Sequence, residues 1–186
     1  TLDLACGTGT LTRLLKKRGV DVFGIDYSME MLSEAMQSAS EEGLDILFLR
    51  QKMQSIDLYG TINTCVCTLD SINHLTKIED VAKTFDRVGL FMDDDGLFIF
   101  DVNTVYKHKN VLADNTFVYE NDSVFCVWQN TPEDDNKVKI DLEVLPAYMS
   151  APEAMAPDAI EIHPGQEIIC QKSAFLASTP GVNMSV

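Results

Sequence analysis

The sequence predicts a doubly wound α/β fold with a mostly parallel sheet and helices on both faces, followed by a small antiparallel β meander. The first hundred residues alternate short apolar runs with amphipathic stretches. Those apolar runs are nearly uninterrupted, which is typical of parallel strands that are buried on both faces. After Asp101 the strand-like runs follow one another with only short polar links, and this change predicts the meander.

The first strand and helix open the chain. Leu2–Ala5 is a short apolar run that predicts a strand, and Thr10 is a candidate cap for the helix after it. The predicted apolar face of this helix consists of Leu11, Leu14 and Leu15. Basic residues in its last turn favour the helix dipole, and Gly19 is placed to end the helix.

The second strand–helix unit repeats this pattern and leads to a third strand. Val20–Ile25 predicts a strand, and Ser28 is the expected cap of the helix that follows. The apolar stripe of that helix consists of Leu32, Ala35, Met36 and Ala39. Gly43 ends the helix, and Asp45–Leu49 predicts the third strand.

Two further strands complete the predicted sheet. Thr61–Leu69 is rich in β-branched residues and cysteine, which predicts the fourth strand. Glu79–Met92 has the spacing of an amphipathic helix, and Asp93–Gly96 predicts a turn. Leu97–Phe100 is then the fifth strand, which Asp101 ends.

Three antiparallel strands are predicted in the meander, at Thr116–Tyr119, Ser123–Gln129 and Lys137–Val144. The last of them alternates apolar and charged residues, so we expect one buried face and one solvated face. Thr131–Asn136 supplies a turn, and Glu167–Cys170 predicts a further short strand.

The strand pattern and the composition together divide the chain into three parts. Five of the six prolines lie after residue 145, together with most of the alanines. We therefore expect an α/β core at 1–104, an antiparallel insertion or lid at 105–145, and an atypical Pro/Ala-rich segment at 146–186. One hypothesis is that this last segment is not native to the fold.

The strongest functional motif spans the turn after the first strand. Asp3, Ala5, Gly7 and Gly9 stand at alternate positions there, and Asp26 ends the second strand. Glycines let a ligand approach the backbone closely, and the N–H groups at a helix start bind carboxylates or phosphates. A carboxylate at the end of the second strand can accept both hydroxyls of a ribose. Together these residues predict a crevice for an adenosine-containing cofactor.

Two details distinguish between possible cofactors. A dinucleotide fingerprint has a third glycine at the helix entry, where this sequence has Thr12. Asp3 would repel a pyrophosphate but would attract an ammonium group. S-adenosylmethionine carries an ammonium, a carboxylate and a ribose, so the motif fits it better. A nicotinamide-dependent oxidoreductase is a distant alternative.

These motifs resemble those of class I S-adenosylmethionine-dependent methyltransferases, which have a Rossmann-like fold. Leu2–Thr10 (LDLACGTGT) is similar to their first motif, and Gly24–Leu32 (GIDYSMEML) is similar to their second. Leu69–Leu75 (LDSINHL) and Leu97–Thr104 (LFIFDVNT) resemble a bacterial small-molecule branch of that superfamily. The resemblance extends from residue 1 to about residue 144.

The resemblance implies a role for each matching position. The residues that would hold the methionine end of the cofactor are Asp3, Ala5, Gly7, Thr8 and Gly9. Asp26 would bind the ribose hydroxyls. The residues that would face the adenine are Tyr27, Met31, Lys52 and Met53. The residues that would line the pocket near the transferred methyl group are Leu69, Asp70 and Asn73.

The sequence departs from the family pattern at two of these positions. Lys52 stands where the family commonly has an acid that accepts a hydrogen bond from the adenine amino group. A lysine has no acceptor, so adenine recognition would depend more on backbone and packing. Ala5 replaces the usual glycine, which is a milder departure.

Methyl transfer requires little of the side chains, because the sulfonium is already an activated donor. In-line displacement needs the nucleophile, methyl group and sulfur to be aligned and water to be excluded. A general base is needed only where the acceptor must lose a proton, and the weak candidates are Asp70, His74, Asp101 and Tyr106. Each has a plain structural alternative, such as a turn cap, a surface residue or packing.

The sequence therefore predicts methyl transfer to a small or medium-sized acceptor. An inactive, cofactor-binding remnant of a methyltransferase is the alternative. The net charge of −15 argues against nucleic acid and anionic membrane surfaces as partners. Five cysteines without a C-x-x-C pair favour a reducing, cytoplasmic setting and no metal site. The oligomeric state is left open.

Overall fold

The chain divides into two compact units, Thr1–Asn103 and Thr104–Val186. The structure, a computed structural model, describes residues 1–121, 124–133, 137–146 and 168–170. The first unit contains a parallel sheet with helices, and the second contains a small, mainly antiparallel sheet. The predicted fold class is thereby confirmed. The role of residues 105–145 as a lid stays a prediction.

Five parallel strands form the sheet of the first unit, in the order β3-β2-β1-β4-β5. Their bounds are β1 Leu2–Leu4, β2 Phe23–Asp26, β3 Phe48–Arg50, β4 Ile62–Cys67 and β5 Met92–Phe100. The helices are α1 Thr10–Lys17, α2 Met29–Glu41 and α3 Ile78–Phe91, with short 3₁₀ turns at Met53–Ser55 and Ser71–His74. The chain winds outward from β1 through β2 to β3, then returns to add β4 and β5 on the other side. The point of reversal lies at the carboxyl ends of β1 and β4, where sheets of this kind bind ligands.

The core of this unit lies around the three central strands. Leu2, Leu4, Ile25, Cys65 and Cys67 are completely buried. Burial raises the pKa of the Cys65 and Cys67 thiols to about 12. They therefore stay protonated and pack as small apolar side chains, as predicted.

The start of α1 differs from the prediction that Thr10 caps it. Gly9 is the cap residue, with a left-handed φ of 69°, and its carbonyl oxygen accepts the N–H of Arg13 at 2.9 Å. No side chain caps this helix. The apolar face differs as well, because Leu14 is 46% exposed whereas Thr12 is completely buried. In α2 the predicted cap is confirmed, since the Ser28 hydroxyl accepts the N–H of Met31 at 3.2 Å.

The predicted turn Asp93–Gly96 is wrong, because these residues lie within β5. Ile62 of β4 pairs with Met92, but Thr64 pairs with Leu97, so the four residues 93–96 form an irregularity in the strand. A run of turn-forming residues is accommodated as a bulge because the residues on both sides of it pair with β4.

The second unit contains the predicted antiparallel meander. Its strands are β6 Thr116–Glu120, β7 Val124–Glu133, β8 Lys137–Pro146 and β9 Ile168–Cys170, in the order β8-β7-β6-β9. β9 confirms the predicted short strand near Glu167–Cys170, and it pairs with β6 in parallel. The predicted turn Thr131–Asn136 is wrong in its first half, because residues 131–133 continue β7. Its second half, 134–136, lies outside the described residues. Of segment 146–186, only Pro146 and β9 are described.

A fully buried asparagine supports the sheet of the second unit. The side-chain amide of Asn130 donates to the carbonyl oxygen of Leu112 at 3.3 Å and accepts the indole N–H of Trp128 at 2.7 Å. Leu112 ends a π-helical segment, Lys107–Leu112. The apolar face expected to be buried on β8 is exposed instead, with Leu142 at 59% and Val144 at 61%.

In the described part of the chain, no helix combines the length and the apolar character needed to cross a membrane.

Gly24 on β2 provides a stability test of the packing between the sheet and the first turn. A Cβ at this position would lie 2.7 Å from the Cys6 sulfur and 2.8 Å from Cδ1 of Phe48. We expect Gly24→Ala to lower the free energy of unfolding by about 1–3 kcal/mol, because the added methyl group overpacks the core. Denaturant unfolding measures this change.

Gly89→Ala is the matched control, since Gly89 lies in α3 and an added Cβ would meet nothing within 4 Å. We expect this variant to gain about 1 kcal/mol through helix propensity alone. Equal effects of the two substitutions would contradict the packing described for Gly24.

Candidate cofactor-binding site

The carboxyl ends of β1, β2 and β4 open onto a cleft of about 640 Å³. The predicted cofactor residues that line it are Asp3, Ala5, Gly7, Thr8, Asp26, Tyr27, Met31, Met53 and Leu69. The four predicted cofactor residues that do not line it are Gly9, Lys52, Asp70 and Asn73. All these residues belong to the first unit.

In the turn between β1 and α1, every second residue has a left-handed backbone conformation. Ala5, Gly7 and Gly9 have φ values of 61°, 54° and 69°. An added Cβ on Gly7 would meet nothing within 4 Å, so the backbone there faces open space. An added Cβ on Gly9 would lie 3.0 Å from Cβ of Ala35 and from Cζ of Phe48. Gly7 thus leaves room for a ligand, whereas Gly9 lets α1 pack closely on its neighbours.

The carboxylate of Asp26 joins the two loops that form the centre of the cleft. Its Oδ2 accepts the backbone N–H of Gly7 at 2.9 Å, and its Oδ1 accepts the N–H of Ser28 at 2.8 Å. Each carboxylate oxygen has a second lone pair, so both can still accept a hydroxyl group from a ligand. This geometry is suited to binding the two hydroxyls of a ribose.

Asp3 presents a buried carboxylate to the same cleft. Asp3 is only 2% exposed, and its Oδ2 accepts the hydroxyl of Thr12 at 2.6 Å. Burial raises the pKa of Asp3 above its ordinary value of 3.8, the negative charge of Asp26 adds to the rise, and the Thr12 hydrogen bond opposes it. A carboxylate held in this way gains most from a cationic ligand.

The role of Thr12 is not predicted from the sequence. The available signal is weak: a β-branched hydroxyl residue in the first helical turn, nine residues after Asp3. Thr12 occupies the position where a dinucleotide fingerprint has a glycine that allows close packing of helix and strand. In this protein the residue at that position instead supplies the hydroxyl that binds Asp3.

Two cationic side chains flank Tyr27 at one end of the cleft. The ammonium nitrogen of Lys52 lies 4.8 Å from the centroid of the Tyr27 ring, and Cζ of Arg50 lies 5.3 Å from it. Arg50 Nε also donates to the carbonyl oxygen of Tyr27 at 3.1 Å. These contacts hold the Tyr27 ring beside the cleft, while Lys52 itself stays outside its lining.

The opposite end of the cleft follows β4, where Leu69 and Asp70 are consecutive left-handed residues with φ values of 59° and 51°. The Asp70 N–H donates to Oδ2 of Asp101 at 2.9 Å, and the Asp70 carboxylate accepts the side-chain amide of Asn103. The Asn103 N–H donates to Oδ1 of Asn73 at 2.8 Å. These bonds tie the loop after β4 to the loop after β5 and hold Leu69 at the rim, where it is 83% exposed.

The four candidate bases occupy different settings. His74 lines the cleft. Asp70 and Asp101 take part in the tie between the two loops and do not line it. Tyr106 belongs to the second unit and is 70% exposed. The structure therefore brings one of the four, His74, to the cleft.

Comparison with known proteins identifies the class of protein that this fold and cleft define. The family model described as "Methyltransferase domain" matches residues 1–96. The chain belongs to this methyltransferase family, and S-adenosylmethionine is the cofactor, as the motifs predicted.

Individual relatives agree with this assignment. The putative methyltransferase YqeM of Bacillus subtilis is 39% identical over 130 residues, which cover 69% of this chain and 52% of the relative. A putative methyltransferase of Geobacillus sp. is 32% identical over 131 residues, 70% of this chain and 53% of the relative. The chain thus spans about half the length of these curated relatives.

Solved structures share the fold. A S-adenosylmethionine-dependent methyltransferase from Clostridium acetobutylicum matches with a TM-score of 0.67 and 34% identity, covering 79% of this chain and 66% of the other. A glycopeptide N-methyltransferase in complex with S-adenosylmethionine matches with a TM-score of 0.52 and 17% identity, covering 77% and 58% of the two chains. At that identity the second match supports the fold alone.

One similarity is of a different kind. An aldehyde oxidoreductase of Megalodesulfovibrio gigas is 28% identical over 159 residues, which cover 83% of this chain and 16% of that protein. Because this match covers 83% of the 186 residues of the chain, it extends past residue 146 into the proline-rich segment, whichever residue it begins at. The methyltransferase family model ends at residue 96. That residues 146–186 are foreign to the methyltransferase fold stays a prediction.

The left-handed conformation of Ala5 gives a stability prediction for the turn. This conformation costs a residue with a Cβ roughly 1–2 kcal/mol. The greater freedom of glycine in the unfolded chain costs about 0.5–1 kcal/mol, so we expect Ala5→Gly to raise the free energy of unfolding by up to about 1 kcal/mol. Denaturant unfolding monitored by circular dichroism measures it.

The control is Ala82→Gly on the exposed side of α3. There the backbone is helical, and the substitution is expected to lower the free energy of unfolding by about 1 kcal/mol. A loss of stability in Ala5→Gly as large as in this control would contradict the strain described at Ala5.

Proposed function

We propose that the protein transfers the methyl group of S-adenosylmethionine to a small or medium-sized acceptor. The observation that carries the proposal is the pair of carboxylates, Asp3 and Asp26, which line one cleft together with the open backbone at Gly7. One carboxylate is buried and suited to a cation, and the other is prepared for hydroxyl groups. This combination matches the ammonium and ribose of the cofactor.

Each end of the cleft then has a function. Asp3 would hold the cofactor ammonium and Asp26 its ribose, while the open space at Gly7 would leave room for the methionine end of the cofactor. Tyr27 and Met53 would contact the adenine. The bound cofactor supplies a methyl group on a positively charged sulfur. The protein's contribution is to hold that group in line with the acceptor and to exclude water.

The acceptor would enter at the end of the cleft that Leu69 and His74 line. The tie between the loops after β4 and β5 holds Leu69 in its left-handed conformation there. For an acceptor that must lose a proton, we assign proton removal to His74, because it lines the cleft. The net charge of −15 favours acceptors that are not polyanions.

Incubation of the full chain with S-adenosylmethionine and a panel of small metabolites tests the proposal, with S-adenosylhomocysteine formation as the readout. We expect turnover with at least one hydroxyl, amine or acid acceptor. With an acceptor that must be deprotonated, His74→Gln is expected to lower kcat by about 10²–10⁴-fold, because proton removal by a positioned base contributes that much.

The alternatives give different results in this experiment. Binding of S-adenosylhomocysteine without turnover on any acceptor would identify an inactive cofactor-binding remnant and contradict the proposal. Failure to bind S-adenosylhomocysteine at millimolar concentration would reject both the proposed methyl transfer and the inactive remnant. A kcat for His74→Gln equal to that of the unaltered protein would remove His74 from the mechanism and leave the methyl transfer itself in place.

A further inference from the structure

The strand β8 lies at an edge of the sheet in the second unit and carries an exposed apolar stripe. Within the described residues, β8 pairs with β7 on one side and with no strand on the other. Ile140, Leu142 and Val144 stand at alternate positions along it, and all three are exposed. A strand with free backbone groups and exposed apolar side chains is a template for pairing with another strand.

The opposite face of β8 carries four charges in a segregated order. Lys137 and Lys139 precede Ile140 in the sequence. Asp141 and Glu143 follow it. Nζ of Lys139 lies 2.8 Å from Oδ2 of Asp141, and both side chains are about half exposed. The strand is therefore positive on one side of Ile140 and negative on the other.

This order of charges is complementary to itself when two copies of β8 run antiparallel with Ile140 opposite its own equivalent. Residues directly opposite each other in an antiparallel pair lie on the same face of the sheet and interact. In this register Lys139 lies opposite Asp141 of the second copy. Lys137 likewise lies opposite Glu143 of the second copy, so every charge on this face meets one of opposite sign.

The apolar face of β8 fits the same register. Val138 then lies opposite Leu142 of the second copy, and Ile140 lies beside its own equivalent. Cross-strand pairs of branched apolar side chains stabilise a sheet. One alignment of the two strands therefore joins apolar side chains on one face and opposite charges on the other.

Neighbouring registers lose this complementarity. A two-fold axis at Lys139 or at Asp141 sets that residue opposite its own equivalent, which brings like charges together. An axis at Val138 or at Leu142 sets the two like charges that flank it opposite each other. An axis between two residues sets apolar side chains opposite charged ones, because a shift of one residue exchanges the two faces. The sequence of β8 thus specifies the register with the axis at Ile140.

We propose that β8 is a self-association edge, through which two copies of this chain pair antiparallel about a two-fold axis at Ile140. A two-fold contact uses the same surface on both copies, so it closes on itself and gives a dimer. Pairing satisfies the outward backbone groups of β8 and sets its exposed apolar side chains beside those of the second copy. The inference concerns the second unit and is independent of the proposed methyl transfer.

Sedimentation equilibrium of the full chain over a concentration series tests the association. We expect a dimer whose dissociation constant rises with salt concentration, because salt screens exposed charges. A chain that stays monomeric at the highest concentration would overturn the proposal. Assemblies larger than a dimer would also overturn it, since the two-fold contact leaves no second copy of this edge free.

Charge reversals test whether the four charges set the pairing. Lys137→Glu with Lys139→Glu makes this face of β8 wholly acidic, and Asp141→Lys with Glu143→Lys makes it wholly basic. We expect each double variant to have a dimer dissociation constant at least about tenfold larger, because every cross-strand charge pair becomes repulsive. Dimers of either variant as tight as those of the unaltered chain would contradict the proposed edge.

Two matched controls separate loss of pairing from loss of folding. An equal mixture of the acidic and basic variants restores opposite charges in every pair, so we expect it to form dimers as the unaltered chain does. The variant that carries all four substitutions is again complementary to itself and is expected to dimerise alone. If both controls stay monomeric, the charges do not act through this pairing and the proposal is wrong.

Disulfide cross-linking reads the register directly. Equivalent residues at the axis have Cα atoms about 4.5–5.5 Å apart, within the range that a disulfide bridges. Residue 142 is two positions from the axis in each copy, so its equivalents lie roughly 13 Å apart along the strands, which is too far. We expect oxidation to cross-link Ile140→Cys dimers and to leave Leu142→Cys at the level of the unaltered chain. Cross-linking of Leu142→Cys as strong as that of Ile140→Cys would rule out this register.

Discussion

The buried carboxylate of Asp3 is the group on which the arrangement of the cleft depends. Asp3 lies in the central strand β1 and is only 2% exposed, and its Oδ2 accepts the hydroxyl of Thr12. Burial raises its pKa above 3.8, so this group makes the folded state less stable as the pH rises above that value. The apolar core around β1 offsets that cost. A cationic ligand at the cleft would remove it.

Backbone strain is concentrated around the same cleft. Ala5, Leu69 and Asp70 all have left-handed φ values, and each lies directly after or close to the carboxyl end of a strand. Hydrogen bonds between distant parts of the chain maintain these conformations, through Asp26 at the first turn and Asp101 at the second. Strained residues that are held in this way are common at functional sites. In this protein the turn after β1 leaves the backbone at Gly7 open, and the turn after β4 holds Leu69 at the rim of the cleft.

Local sequence signals predicted the sheet, the first turn and the position of Asp26, because glycine spacing and apolar periodicity act over a few residues. Long-range contacts were not predictable in this way. The tie from Asp70 to Asn103 joins residues 33 apart, and it exists because β4 and β5 are neighbours in the sheet. The same pairing turns Asp93–Gly96 from a predicted turn into an irregular part of β5. Thr12 was missed because its partner, Asp3, lies on another element.

Calorimetric binding of S-adenosylhomocysteine to Asp3→Asn, together with its unfolding free energy, tests most directly whether Asp3 is held for a cation. Asparagine has the same shape and can still accept the Thr12 hydroxyl, but it carries no charge. We expect unchanged or higher stability and a dissociation constant at least about tenfold larger, since the charged hydrogen bond to the ligand ammonium is lost. Unchanged affinity in this variant would contradict it.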